Sequence, residues 1–176
     1  PVSWVRRGVY EADSVYLPGW RPGADYREVY SARREMGGGV ALDLIHEWDY
    51  LTNLFGLPLE SRSLAGKYSH LEINADDLAI YISKYTDFLC ELHLDYFGRT
   101  YRRCVEIFTE EGTLEADFGT GLLTLPNGTT ENHEEPLNRR HEREMEYFVD
   151  FALHGVGASV NSPQNALAVL KIALGD

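Results

Sequence analysis

The sequence predicts an α+β domain: a mixed, largely antiparallel sheet with helices packed on one face. Three observations carry this. Four short segments between Asp77 and Phe118 are rich in β-branched and aromatic residues and are separated by tight turns. Helical periodicity lies on both sides of them, with Leu44, Trp48, Leu51 and Phe55 on one arc and Met145, Phe148, Val149 and Ala152 on another stripe. Within Phe88 to Phe97 the residues alternate. Phe88, Cys90, Leu92, Leu94 and Tyr96 form an apolar face, while Leu89, Glu91, His93, Asp95 and Phe97 form a mixed one. A chain of 176 residues suits a single domain over 1–176, and 44% hydrophobic residues suffice for a core.

In chain order, Val2 to Tyr10 is expected to be a strand. Leu17 to Arg27 holds two Pro-containing turns and is expected to be a loop. It is aromatic and basic for so acidic a chain. Arg21, Arg27, Arg33 and Arg34 with Tyr26 and Tyr30, and Asp25 among them, either cradle a sugar or phosphorylated sugar or pin the loop to the core.

Gly37, Gly38 and Gly39 then run straight into a helix through Phe55, closed by Gly56-Leu57-Pro58. Without a Cβ, Gly38 and Gly39 let a ligand or a neighbouring backbone approach the helix start, whose dipole favours anions. The helix turns Asp43, His46, Tyr50 and Asn53 away from its apolar arc. This polar arc is either a solvated face or a general acid/base site, because a carboxylate one turn from a histidine raises its pKa. No metal site is predicted: Asp43, His46, Glu47 and Asp49 offer carboxylates, but no second histidine stands at ligand spacing.

Leu59 to Ile73 is expected to be a strand. Asp77 to Tyr85, Phe88 to Phe97, Tyr101 to Thr109 and Thr113 to Phe118 follow as an antiparallel meander, and Leu122 to Leu125 adds a strand before the Asn127-Gly128 turn. The mixed face bearing Leu89, His93 and Phe97 is a candidate oligomer interface. Thr129 to Asn138 is expected to be a loop and Arg140 to Leu153 a helix. The closing helix starts at Ser162-Pro163 and buries Leu167, Leu170, Ile172 or Ala173, and Leu174.

With 28 acidic against 16 basic residues and a net charge of −12, the chain is not expected to bind nucleic acid. No apolar run reaches the ~20 residues of a membrane helix. A hairpin turn at Gly98-Arg99-Thr100 would set Cys104 opposite Leu94 and Cys90 opposite Phe108, out of reach of one another. Both are therefore read as reduced thiols, and with no secretory signal pattern the expected setting is cytoplasmic.

The run GGGVALDLIHEWDYLTNLFG resembles the opening of the second domain of the Gfo/Idh/MocA oxidoreductases. The Glu110-Glu111-Gly112-Thr113-Leu114-Glu115 stretch and the helix from Asn165 to Lys171 resemble weaker family features. The resemblance implies that His46 is the catalytic acid/base, with Asp43 beside it, although the spacing Asp-x-x-His is one residue shorter than in many members. It implies that the loop carrying Arg21, Asp25, Tyr26, Arg27, Tyr30 and Arg33 approaches the substrate. It also implies NAD or NADP in the intact parent, a sugar, sugar-nucleotide or polyol substrate, and an N-terminal Rossmann domain as partner. That domain's Gly-x-Gly-x-x-Gly fingerprint is missing here, so this chain alone is expected to bind neither cofactor and to be inactive. The alternatives are a stand-alone binding or dimerisation module of the same fold, or non-redox chemistry with bound NAD.

Overall fold

A computed structural model describes residues 6–155, 159 and 161–175. One eight-stranded sheet forms the framework: β1 (Arg6–Tyr16), β2 (Glu60–Gly66), β3 (Leu78–Lys84), β4 (Leu89–Asp95), β5 (Phe97–Thr109), β6 (Gly112–Asp117), β7 (Leu122–Thr124) and β8 (Thr130–Asn132), in the order β2-β3-β4-β1-β5-β6-β7-β8. Every neighbouring pair is antiparallel except β1 with β4. The predicted class, a mixed and mostly antiparallel sheet with helices, is the class observed.

Alternation explains which face is covered. The strand residues Val9, Cys90, Leu92, Leu94, Tyr81 and Val105 are buried and form one core with Leu44, Trp48 and Leu51. The helices over this face are α2 (Val40–Asp43), α3 (His46–Phe55) and α5 (Pro163–Leu174); a one-turn helix, α1 (Leu17–Trp20), follows β1. Trp48 on α3 meets the ring of Tyr81 on β3 edge-on, at 5.3 Å between centroids. The Tyr81 hydroxyl donates to the Ala173 carbonyl of α5 at 2.7 Å. One aromatic pair thus ties two helices to the sheet. Gly56 ends α3 at φ +79°, its N–H bonded to the Thr52 carbonyl, and Ser162 caps α5 by accepting from the Asn165 N–H, both as expected.

Several sequence expectations are corrected. Strand β1 runs on to Tyr16, well past Tyr10, while the expected residues Val2 to Val5 lie outside those described. Its alternation of core residues with Glu11 and Asp13 masks it as a polar segment. The strand expected over Leu59 to Ile73 stops at Gly66, because the following residues wrap around the buried Asp77 carboxylate. That carboxylate accepts from the backbone of Tyr68 (2.7 Å) and Ser69 (3.0 Å) and pairs with Lys67 at 3.1 Å. Strands β4 and β5 do not form a hairpin: only Tyr96 separates them, and β1 lies between. Cys90 therefore points to the helix side and Cys104, opposite Ala12, to the other face, and both are free thiols. The expected loop after Thr129 contains β8 and the start of α4 (Leu137–His154). On α5 Ala173 is buried as expected and Val169 is buried with it, but Leu167, Leu170 and Leu174 are exposed. The α4 stripe is exposed as well, with Phe148 at 62% and Met145 at 60%.

The glycine run has a structural cause. A Cβ on Gly38 would stand 2.1 Å from the Tyr30 carbonyl oxygen, 2.7 Å from that of Ser31 and 2.8 Å from that of Arg33. Backbone oxygens cannot swing aside as a flexible side chain can, so Gly38→Ala is expected to destabilise the domain by about 3 kcal/mol, the upper part of the overpacking range. Urea denaturation measures this; an unchanged midpoint would mean that the close approach does not exist.

Candidate functional site

Helical periodicity from Gly39 onward breaks once. Helix α2 ends at Asp43, Leu44 and Ile45 form a turn, and α3 starts at His46. The break separates the two residues that the sequence pairs. Asp43 accepts a 2.5 Å hydrogen bond from the Tyr96 hydroxyl. His46 instead finds its carboxylates at Glu47 (Nε2 to Oε1 2.8 Å) and at Asp13 on β1 (Nε2 to Oδ2 3.4 Å). Asp43 is thus not the residue that orients His46, because a straight helix through both positions does not exist.

Around His46 the structure gathers charges from three elements. Glu11 and Asp13 come from β1, Arg103 from β5 and Glu47 from the first turn of α3. Glu11, Asp13 and Glu47 are buried. Arg103 Nη2 lies 2.6 Å from Glu47 Oε1, and its Nε lies 4.0 Å from Asp13 Oδ2. The guanidinium rests over the Phe118 ring at 5.1 Å. Burial within an apolar core disfavours isolated charges, so such groups persist when paired. The His46 side chain is 47% exposed and forms the solvent-facing end of the cluster.

These contacts set protonation. Hydrogen bonding to Asp13 and then to Glu47, against partial burial and the Arg103 charge, pushes His46 up to about 9. Burial pushes the Glu47 carboxyl up, but contacts with His46 and Glu11 and the Arg103 charge outweigh it and hold Glu47 below its ordinary value. His46 is consequently an imidazolium at neutral pH, able to give a proton to a group at the surface of the cluster. Asp13, His46 and Glu47 also bring one ligand atom each within 4.8 Å of one another, a set different from the Asp43, His46, Glu47 and Asp49 weighed from sequence. The Arg103 guanidinium lies against the Glu47 oxygen that a cation would use, and the imidazole nitrogen sits between two acceptors. This donor set suits a bound proton better than a metal ion.

The six loop residues named from sequence separate into two groups. Arg21 lies over the rings of Trp20 (5.8 Å) and Tyr30 (5.0 Å), and Trp20 in turn approaches Tyr96 at 6.2 Å, next to Asp43. Asp25, Tyr26, Arg27 and Arg33 are engaged elsewhere. Arg27 Nη2 pairs with Asp25 at 2.6 Å and Nη1 with Glu72 at 3.4 Å. This hydrogen bonding holds the Asp25 carboxyl down at about 2. The Tyr26 hydroxyl accepts from the Glu72 N–H, and Arg33 Nε donates to the Arg27 carbonyl. Arg27 and Arg33 line a separate hollow of about 360 Å³ with Glu72, Ile73 and Asn74. Gly38 and Gly39, named as points of cofactor approach, are met by the chain itself: Gly38 by the backbone of residues 30 to 33, Gly39 by that of Asp76. A hollow of about 210 Å³ lies beside them.

Sequence reasoning missed Glu11, Asp13 and Arg103. The available signal was period two: Val9, Glu11, Asp13 and Val15 share one face, as do Tyr101, Arg103 and Val105. Charged residues in core register within a strand mark a buried ionic site.

No family profile matches the chain, and no curated protein matches it. Solved structures do. UDP-N-acetylglucosamine 3-dehydrogenase GnnA of Acidithiobacillus ferrooxidans superposes at a TM-score of 0.71 with 18% identity, over 97% of this chain and 52% of that one. An oxidoreductase of Thermotoga maritima gives a TM-score of 0.76 at 16% identity, over 96% and 50%. The WlbA dehydrogenase of Bordetella pertussis, solved with NADH and UDP-GlcNAcA, gives 0.71 at 15%, over 97% and 50%. The chain spans about half the length of these proteins, and at such identities the likeness is one of fold. The fold is shared with about half of each of these oxidoreductases.

In the chain itself, the His46 ring is expected to titrate near 9, and Glu47→Gln to lower that by about one unit or more. The pairing also leaves a mark on folding. A raised histidine pKa stabilises the fold fully below the unfolded value of about 6.5, and that stabilisation is lost as pH rises through about 9. NMR of the histidine rings measures the titration; a midpoint near 6.5 would dissolve the cluster as described.

Proposed function

We propose that this chain is the substrate-binding and oligomerisation domain of an NAD(P)-dependent oxidoreductase acting on a sugar, a sugar nucleotide or a related polyol. The observation that carries the reading is His46: a half-exposed imidazole held between two buried carboxylates, at the start of the second of two short helices after a Gly-Gly-Gly run, in a fold shared with sugar-nucleotide dehydrogenases.

Chemically, His46 handles the hydroxyl proton of the substrate, and the nicotinamide cofactor, held by a Rossmann partner domain, exchanges the hydride. As an imidazolium, His46 gives its proton to the carbonyl oxygen in the reducing direction. In the oxidising direction it must first lose that proton, so oxidation is favoured as pH rises toward 9. Glu47 and Asp13 hold the ring and stabilise its charge, and Arg103 fixes Glu47. Arg21 and Tyr30, next to the Trp20, Tyr96 and Asp43 contacts, are the loop residues best placed to meet a substrate from this side. Arg27, paired with Asp25, and Arg33 would act from the separate hollow that they line.

In a protein joining this chain to its Rossmann domain, His46→Ala is expected to lower turnover roughly 10²–10⁴-fold, the usual worth of an acid/base, with cofactor affinity nearly unchanged. Asp43→Asn should have the smaller effect and leave the pH–rate profile in place, because His46 is not its partner. Steady-state kinetics over pH, with folding checked by thermal melt, tests both. Wild-type turnover in His46→Ala would leave His46 as a structural residue and remove the catalytic reading.

The oligomerisation half of the reading rests on the uncovered sheet face, where Leu64, Ile82, Leu89 and Phe108 are exposed on four strands. Two copies meeting there would bury apolar area that otherwise faces water. Sedimentation over a range of concentrations should show a dimer or larger assembly that Ile82→Lys weakens. A strict monomer at high concentration would remove this half of the proposal.

A further inference from the structure

We propose that Glu11 is a positioning residue: it keeps a proton at neutral pH, donates it as a hydrogen bond to Glu47, and so leaves Glu47 a fixed anion that, together with Asp13, orients the His46 imidazolium. The proposal deepens the acid/base reading of His46 and rests on it for its functional meaning, but not for its physical content.

Charge balance is the first argument. Three acids, Glu11, Asp13 and Glu47, are buried together with two cations, Arg103 and His46. Fully ionised, the cluster carries one uncompensated negative charge inside an apolar core, which is costly without a partner. Arg103 and His46 are each engaged with Asp13 and Glu47. Glu11 has no cation in ion-pair reach among the described residues. A single proton on Glu11 brings the cluster to neutrality.

Hydrogen-bond logic gives the second argument. A carboxylate only accepts. Glu11 and Glu47 are in side-chain contact, and as two carboxylates neither could donate to the other, while Glu47 Oε1 already meets His46 and Arg103. One proton converts this repulsive contact into a short charge-assisted bond, as in other paired carboxyl groups. Glu11 is the one to hold it, because Glu47 has both cations and Glu11 has none.

The surroundings agree. Glu11 lies in mid-strand on β1, flanked by Leu92 of β4 and Val105 of β5. The titratable and charged groups near it are Glu47 and Tyr50 from α3, Cys90 from β4, Arg103 and Cys104 from β5, and Asp13 on its own strand. Burial, then the contact with Glu47, pushes the Glu11 carboxyl far above its ordinary value, while hydrogen bonding with Tyr50 opposes this. The net effect is a neutral donor in contact with Glu47.

The test uses the chain itself, labelled with ¹³C at the glutamate carboxyls and ¹⁵N in the histidine rings, and titrated by NMR from about pH 5 to pH 10. One glutamate carboxyl should remain protonated at neutral pH and be missing in Glu11→Gln. Because glutamine is also a neutral donor, Glu11→Gln should keep the His46 titration within about half a unit of wild type, while Glu11→Ala moves it. Folding gives a second readout. The proton on Glu11 must be held against a rising pH, so the folding equilibrium of wild type relative to Glu11→Gln should fall about tenfold per pH unit above the ordinary glutamate value of about 4.3. An ionised Glu11 at neutral pH overturns the proposal, as does a His46 titration that drops by a unit in Glu11→Gln, since only a lost charge would do that. If Glu11→Ala does not fold, the glutamine comparison decides. Normal turnover in His46→Ala would sink the enzymatic reading and leave these titrations untouched.

Discussion

Five ionisable side chains meet under the central strand of the sheet, and the geometry of the domain is held by the need to keep them in mutual contact. Glu11 and Asp13 belong to β1, Arg103 to β5, and Glu47 and His46 to the start of α3. Each would be expensive to bury alone. A one-residue slip of β1 would turn both its acids to the outer sheet face and leave Arg103 without Asp13. A rotation of α3 would take Glu47 from Arg103. Strand register and helix orientation are therefore specified by the same set of ion pairs, and the direction of the His46 ring follows from both.

What the sequence disclosed and what it hid have one physical cause. Apolar alternation in Cys90, Leu92, Leu94 and Tyr96, and helical spacing in Leu44, Trp48 and Leu51, were legible because burial acts on these residues through hydrophobicity alone, and all of them are buried. The extent of β1 was not, since Glu11 and Asp13 read as solvent-seeking residues when they are core residues with partners far along the chain. The same two residues complete the candidate site. Helical spacing turns His46 outward as expected, but its carboxylates are Glu47, the next residue, and Asp13 on β1, not Asp43 one turn earlier. On α5, a closing helix with leucines on several sides has no unambiguous apolar face, and the smaller Val169 and Ala173 are the ones buried in the core.

The glycine-rich stretch illustrates how one motif serves two ends. Gly38 allows residues 30 to 33 to cross against the start of α2, which carries the Arg21, Trp20 and Tyr30 group toward Tyr96 and Asp43. Five residues later, the break between α2 and α3 parts Asp43 from His46 and gives each a different partner. A motif that reads as a single helix with a catalytic pair is, in three dimensions, a crossing point followed by a hinge between two short helices.

The placing of β1 between β4 and β5 bears on how the domain forms during synthesis. Val9 pairs with Cys90 on one side and with Ile107 on the other, roughly eighty and a hundred residues later in the chain. On the ribosome β1 emerges first and waits unpaired, its acids hydrated, until both neighbours exist. Strands β2 to β4 can zip as local hairpins, and β5 to β8 likewise, but the two halves become one sheet only when the oldest strand enters the gap between them. Loop closure of this length is entropically costly before it is rewarded, so the insertion step is the natural bottleneck of folding. Until it occurs, two open sheet edges face solvent, which is the state most prone to capture by a neighbouring nascent chain.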